Sequence, residues 1–72
     1  MSTISPDRET GIVKAWLEER GFGFIAPDLG GKDVFVHITA LERGAVVEAG
    51  DRVEYRAITE PRGQRAVGVR VV

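Results

Sequence analysis

Four ring-bearing side chains stand in two pairs, each with a spacing of two residues. Phe22 and Phe24 flank a glycine, and Phe35 and His37 flank a valine. Residues two apart in an extended strand point to the same face, so each pair predicts two rings on one side of a strand. Rings arranged in this way offer flat faces for stacking against a planar ligand.

The elements that position these rings are short strands. Segments rich in Val, Ile and Phe alternate with glycine and proline at short intervals, which is typical of antiparallel strands. The predicted strands are 11–17, 22–26, 33–38, 51–59 and 64–72. Residues 1–10 are predicted to form a flexible tail and residues 11–72 one domain. Five strands in 72 residues favour a closed all-β barrel, because closure removes exposed strand edges.

The third predicted strand separates its side chains by face. The aliphatic residues Val34, Val36 and Ile38 alternate with the rings of Phe35 and His37. We therefore expect the aliphatic side chains to face the core and the rings to face outward. Burial of a large apolar side chain stabilises a fold by about 1.5 to 3 kcal/mol, and an exposed ring loses this contribution. A patch of outward rings therefore predicts a binding partner. The competing interpretation places the phenylalanines in the core.

Predicted inward positions on the other strands follow the same alternation. They are Val13, Ala15, Leu17, Ile25, Val53, Tyr55, Val67, Val69 and Val71. In the long connection between the third and fourth strands, Thr39 is expected to cap a helical turn, and Val46 and Val47 to hold the loop against the barrel.

Unpaired nucleic-acid bases fit the predicted ring patch. Stacking of a base on an aromatic side chain is worth about 1 to 3 kcal/mol. The chain has 10 basic and 11 acidic residues and a net charge of −1, which argues against binding by bulk charge. Bases in a duplex already stack on one another, so single strands are the expected ligand. Gly21 and Gly23 are expected to let the nucleic acid approach the rings closely.

Residues near the rings supply candidate polar contacts. Simple alternation places Trp16 on the face of Lys14, where it would join the stack unless a β-bulge intervenes; partial burial in the barrel is the alternative. Arg20 and Lys32, like Lys14, are candidates for phosphate contacts. Asp33 either accepts hydrogen bonds from base edges or serves as a solubilising surface charge.

Three arginines lie further along the chain. Arg62, Arg65 and Arg70 either follow a phosphate chain or belong to an ordinary solvated surface.

Catalysis and metal binding have no support in the sequence. There is no cysteine, and His37 is the single histidine, so a nucleophilic triad and a metal site both lack partners. Residues 21–26 match a dinucleotide-binding glycine pattern, yet Pro27 ends the segment where a helix would have to begin. We expect a non-enzymatic, cytoplasmic monomer with no cofactor, no small-molecule substrate and no membrane segment.

Two motifs resemble those of a known family. RGFGFI (residues 20–25) resembles the first ribonucleoprotein motif of the bacterial cold-shock proteins, and VFVHI (residues 34–38) resembles the second. GIVK (11–14) precedes them and GDRVEY (50–55) follows, so the resemblance extends over residues 11–72. It implies a five-stranded antiparallel barrel of the oligonucleotide-binding (OB) fold, and an RNA chaperone or regulator of transcription or translation in the stress response.

The resemblance also implies site residues. The base-stacking roles fall on Phe22, Phe24, Phe35 and His37, and the basic contact falls on Lys14. Where the family has Lys-Trp-Phe-Asn, this chain has Lys-Ala-Trp-Leu at 14–17, and Ile38 stands where many members have an aromatic residue. The expected function is non-enzymatic binding of single-stranded RNA and DNA; the alternative is a protein-interaction or regulatory module on the same barrel.

Overall fold

A computed structural model describes residues 8–72, which form five strands and one 3₁₀ turn. The strands are β1 (Arg8–Leu17), β2 (Phe22–Pro27), β3 (Val34–His37), β4 (Arg52–Glu60) and β5 (Gly63–Val71), and the 3₁₀ turn (Ile38–Ala40) directly follows β3. The strands close into a barrel in the order β1-β2-β3-β5-β4, so the predicted all-β OB-type barrel is confirmed.

One neighbouring pair departs from the antiparallel prediction. β3 and β5 are parallel, with Phe35 opposite Arg65, while the other four neighbouring pairs are antiparallel. A closed ring of five strands cannot alternate direction at every step, because five is odd. One parallel contact is therefore a consequence of closure.

The core is filled by inward side chains from all five strands and one loop residue. Its buried members are Val13, Ile25, Val34, Val36, Val47, Val53, Tyr55, Ala66 and Val69. Most were predicted from alternation, and Val47 holds the long loop to the barrel as expected. Val46 is exposed instead, and so is Val71 at the end of β5, which alternation had placed inward.

β1 begins at Arg8, three residues before the predicted start. Arg8, Glu9 and Thr10 pair with β4, which extends the strand beyond Gly11. Of the tail predicted over residues 1–10, residues 1–7 lie outside the described part of the chain.

Local irregularities move several side chains from the face that alternation predicted. Val67 lies opposite the outward Arg56, because a bulge at Gly68 (φ 61°) adds one residue to β5. Ile38 begins the 3₁₀ turn and is exposed, so it does not continue the inward face of β3. Leu17 is exposed as well, at the end of β1.

Candidate functional site

The register of β2 and β3 brings the four predicted rings together on the outside of the barrel. Phe22 lies directly opposite His37, and Phe24 lies directly opposite Phe35. Directly opposed residues in an antiparallel pair share one face of the sheet. The alternate residues of both strands are buried, as valine and isoleucine predicted.

The rings form one continuous surface, which we call the aromatic face: Phe22, Phe24, Phe35 and His37. The centroid of Phe22 is 5.5 Å from that of Phe35 and 6.1 Å from that of Phe24, and Phe24 and Phe35 are 6.0 Å apart. His37 extends the row, with its centroid 6.4 Å from that of Phe35. All four residues are partly exposed, so the aromatic face is accessible to solvent.

A β-bulge in β1 decides which neighbouring residues join this face. Val13 pairs with Ile25 and Ala15 pairs with Phe24, so Lys14 is an extra residue in β1. The bulge turns Ala15 toward the aromatic face and Trp16 away from it. The alternation that placed Trp16 beside the stacked rings and Ala15 in the core was therefore wrong.

The surroundings of Trp16 agree with this register. Trp16 pairs with the buried Gly23 and packs against the core. A Cβ on Gly23 would meet the carbonyl oxygen of Ala15 and would lie 2.7 Å from Cε3 of Trp16. Gly23 thus makes room for β1 and an inward indole, whereas the sequence suggested that it makes room for a ligand.

Gly21 turns the chain into the aromatic strand. Its φ of 73° lies in the left-handed region, where glycine is favoured. Its carbonyl oxygen accepts a hydrogen bond from the main-chain N–H of Ile38 at 2.8 Å, which ties this turn to the end of β3.

The polar candidates lie at the edges of the aromatic face. Lys14 Nζ is 3.1 Å from Asp33 Oδ2, so the bulged lysine reaches across to the start of β3. Lys14 and Asp33 are both exposed residues, and such ion pairs contribute only about 0 to 1 kcal/mol. Arg20 is exposed in the turn before Gly21, and Lys32 is exposed in the turn before β3.

Thr39 fixes the orientation of His37. The main-chain N–H of Thr39 donates to Nδ1 of His37 at 3.2 Å, and Oγ1 of Thr39 is 2.9 Å from the same nitrogen. His37 is thus the N-cap residue of the 3₁₀ turn, the role that the sequence had suggested for Thr39. The helical turn was predicted correctly, but its cap was misplaced by two residues.

An open groove continues the aromatic face toward the β4–β5 turn. It is lined by Phe24, Asp33, Phe35, Glu60, Arg62, Gly63, Gln64 and Arg65. Arg65 lies opposite Phe35 and its Nε is 3.0 Å from Oε2 of Glu60. Nothing in the sequence favoured Arg62 and Arg65 over Arg70, because the pairing of β3 with β5 joins segments far apart in the chain. Arg70 lies elsewhere, next to Glu54.

Residues 8–72 contain neither a cluster of candidate metal ligands nor a helix that could cross a membrane. No three His, Asp or Glu side chains there are grouped to hold a metal ion. Within the same residues, no helix has the length and apolar character needed to cross a bilayer.

Comparison with known proteins gives consistent matches. The profile of the family described as "'Cold-shock' DNA-binding domain" matches residues 9–72. The chain is 42% identical over 64 residues to the probable cold shock protein A of Mycolicibacterium smegmatis, covering 86% of this chain and 96% of that protein. It is 40% identical over 65 residues to the cold shock-like protein CspG of Escherichia coli, covering 88% and 93%.

Solved structures match the fold. The Drosophila Unr CSD456 structure superposes with a TM-score of 0.76 at 24% identity over 90% of this chain, which spans 26% of that longer chain. The apo-CusF structure from Escherichia coli superposes with a TM-score of 0.61 at 16% identity, covering 100% of this chain and 99% of the other. At these identities the superpositions bear on the fold alone.

Proposed function

The chain belongs to the cold-shock domain family, and from that premise we propose that it binds single-stranded RNA and DNA by stacking unpaired bases on the aromatic face. The observation that carries the proposal is the continuous row of Phe22, Phe24, Phe35 and His37 on the outside of the barrel. The core behind this row is already filled by valine and isoleucine.

Energetics favours a stacked ligand at this surface. Each base that stacks on an aromatic ring contributes about 1 to 3 kcal/mol, and every base has a ring face to offer. Each 1.4 kcal/mol of binding free energy lowers the dissociation constant about tenfold, so two or three such stacks tighten binding substantially without a contribution from net charge. The net charge of −1 is compatible with this mode of binding.

Lys14, Arg20 and Asp33 complete the proposed site. Lys14 and Arg20 contact phosphates on either side of the stacked bases, and Asp33 accepts from base edges. The exposed Lys14–Asp33 ion pair opens at small cost, so both side chains are available to a ligand. Trp16 is excluded from the stacking set because it packs toward the core.

The role that follows is that of a non-enzymatic RNA chaperone in the cytoplasm. A protein that binds unpaired segments and not duplex shifts hairpins toward the open form by mass action, without ATP.

Binding of a short oligothymidine to the chain and to its variants tests the proposal. Phe22→Ala and Phe35→Ala are each expected to weaken binding by about 5- to 150-fold, the equivalent of one stack. Leu29→Ala, an exposed apolar truncation in the β2–β3 turn, is the matched control and should leave affinity unchanged. Circular dichroism and melting must show that each variant is folded. Equal affinity for the aromatic variants and the control would refute stacking.

A protein partner for the same face is the second candidate, supported by two aliphatic neighbours. Leu17 lies opposite Phe22 and is 42% exposed, and Ile38 beside Gly21 is 51% exposed. These side chains widen the apolar surface without offering a ring to a base. A folded chain with no measurable affinity for single strands would favour this candidate.

A further inference from the structure

The basic residues of the chain are concentrated in the β4–β5 hairpin. Residues 52–72 hold five arginines and two glutamates, whereas residues 1–51 hold five basic and nine acidic residues. The β4–β5 hairpin is therefore positively charged, although the net charge of the whole sequence is −1.

Three of these arginines and one from β1 share the outer side of the β1-β4-β5 sheet. Arg52 and Arg56 alternate with the buried Val53 and Tyr55, so they point outward. Arg8 lies directly opposite Arg56, and Arg70 lies directly opposite Glu54. We call Arg8, Arg52, Arg56 and Arg70 the arginine surface. It belongs to strands other than β2 and β3, which carry the aromatic face.

Carboxylates compensate this surface only in part. Oε1 of Glu54 accepts from Nη2 of Arg8 at 3.0 Å and from Nε of Arg70 at 2.9 Å. Oδ2 of Asp28 accepts from Nη2 of Arg52 at 2.6 Å. Among residues 8–72, two carboxylates thus face four guanidinium groups.

Arg56 is the least compensated member of the surface. It makes no ion pair with any residue in 8–72, and like charges directly opposite each other, as in its pairing with Arg8, destabilise a strand pair. An anion at this surface would remove that repulsion.

Three of the four guanidinium groups, those of Arg8, Arg52 and Arg70, are held by carboxylates before any ligand arrives. The side chain of Arg8 reaches across β4 to the bulge in β5, where a Cβ on Gly68 would lie 3.3 Å from its Nη1. The Glu54 carboxylate orients Arg8 and Arg70 by accepting a hydrogen bond from each. The same hydrogen bonds, that of Arg8 first, hold the pKa of Glu54 below its ordinary value. Each guanidinium has five N–H donors and Glu54 occupies only some of them, so donors remain for phosphate oxygens.

We propose that the arginine surface binds the phosphodiester backbone of nucleic acid, as a second contact on strands β1, β4 and β5. The inference rests on the proposed function, because it requires that the aromatic face holds a single strand. A strand longer than the aromatic face can continue onto the arginine surface, and its sugar and bases are not read there. This second contact is electrostatic, and it adds affinity only when the ligand is long enough to reach it.

The test compares oligothymidine of two lengths over a salt titration. One oligonucleotide has about six nucleotides, within the roughly 4 to 16 that one OB fold covers, and the other has about 24. Arg56→Gln is expected to leave binding of the short strand unchanged. For the long strand, the variant should make the negative slope of log K against log salt shallower, by about 0.7 for each phosphate that is no longer neutralised. An oligouridine of the longer length should respond equally, because the phosphodiester is common to both.

Arg43→Gln is the matched control, since it removes the same charge from the loop between the 3₁₀ turn and β4. Its effect on the slope should be equal at both lengths. If Arg56→Gln also changes both slopes equally, or neither, the arginine surface makes no separate contact and the inference is overturned. If the unmodified chain fails to bind the short strand at all, the proposed function fails instead, so the two failures are distinguishable.

Discussion

The main-chain N–H of Thr39 donates a hydrogen bond to Nδ1 of His37, two residues earlier in the chain. A ring nitrogen that accepts a hydrogen bond carries no proton, so in the neutral imidazole the proton resides on Nε2. The proposed stacking ring therefore offers an N–H donor at its free edge, directed away from Thr39. A base carbonyl or a phosphate oxygen is the matching acceptor.

We predict that neutral His37 is the Nε2–H tautomer in the unbound protein. Long-range ¹H–¹⁵N correlation spectra distinguish protonated from unprotonated ring nitrogens, and this chain has a single histidine, so the assignment is direct. Thr39→Val removes the hydroxyl and keeps the main-chain donor, and the tautomer should not change. A predominant Nδ1–H form would show that the cap does not set the tautomer.

A second prediction follows from the bulge at Lys14. Ala15, and not Trp16, lies opposite Phe24 on the side of the aromatic face. Ala15→Trp adds a ring where an additional base can stack, so we expect about 5- to 150-fold tighter binding of an oligothymidine. Fluorescence or calorimetric titration measures the change.

Val72→Trp is the control for this gain, because it adds the same ring at an exposed residue outside the aromatic face. The main-chain N–H of Val72 donates to the carbonyl oxygen of Arg52, so this position is ordered. It should leave affinity for the short strand unchanged. Tighter binding by Val72→Trp as well would mean that any added indole suffices and that the position of Ala15 has no special role.

The outward placement of the four rings was predictable from sequence, because β2 and β3 both keep strict alternation. Phe22, Phe24, Phe35 and His37 occupy regular positions with buried neighbours, so a period of two places them correctly. Closure of the barrel was predictable as well, since five short strands leave few other ways to protect their edges.

The faces of Trp16 and Val67 were not predictable, because a bulge shifts the alternation next to each of them: Lys14 precedes Trp16, and Gly68 follows Val67. A bulge adds one residue and exchanges the faces of everything beyond it, yet its cause lies in packing between strands. Lys14 gives no local signal of a bulge. Gly68 is a local signal of a bulge, but a glycine can also occupy an ordinary position in a regular strand. The start of β1 at Arg8 was missed because Arg8, Glu9 and Thr10 have no apolar alternation; their pairing with β4 makes them a strand.

Gly23→Ala tests the close approach of β1 and β2. The new methyl group would meet the carbonyl oxygen of Ala15 and Cε3 of Trp16, and the carbonyl belongs to the main chain and cannot rotate aside. Overpacking of this kind costs about 1 to 3 kcal/mol, so the free energy of unfolding should fall by that amount in urea titrations. Trp16→Phe in the same chain removes the indole contact but not the carbonyl contact, so it should not restore stability. Full recovery in the double variant would assign the clash to the indole alone.

Tyr55 presents the opposite case, a buried group whose removal should stabilise the fold. Its side chain is 0% exposed, and its hydroxyl finds no hydrogen-bond partner within residues 8–72. A buried hydroxyl without a partner costs about 1 to 3 kcal/mol, so Tyr55→Phe should raise the free energy of unfolding, by about 1 kcal/mol. Equal or lower stability of the variant would indicate that the hydroxyl has a partner, such as a water molecule.

The same residue predicts how stability depends on alkaline pH. Burial, together with the nearby carboxylates of Glu9 and Asp28, raises the pKa of Tyr55 from 10.0 to about 12. Between those values the unfolded chain has released the phenolic proton and the folded chain still holds it, so rising pH favours unfolding. The stability of the unmodified chain should therefore fall between pH 10 and 12 more steeply than that of Tyr55→Phe. Tyr55 is the single tyrosine, so its ionisation can be followed by tyrosinate absorbance in the folded protein. Ionisation near pH 10 in the native state would place the hydroxyl in contact with water, and the advantage of Tyr55→Phe would then have no basis.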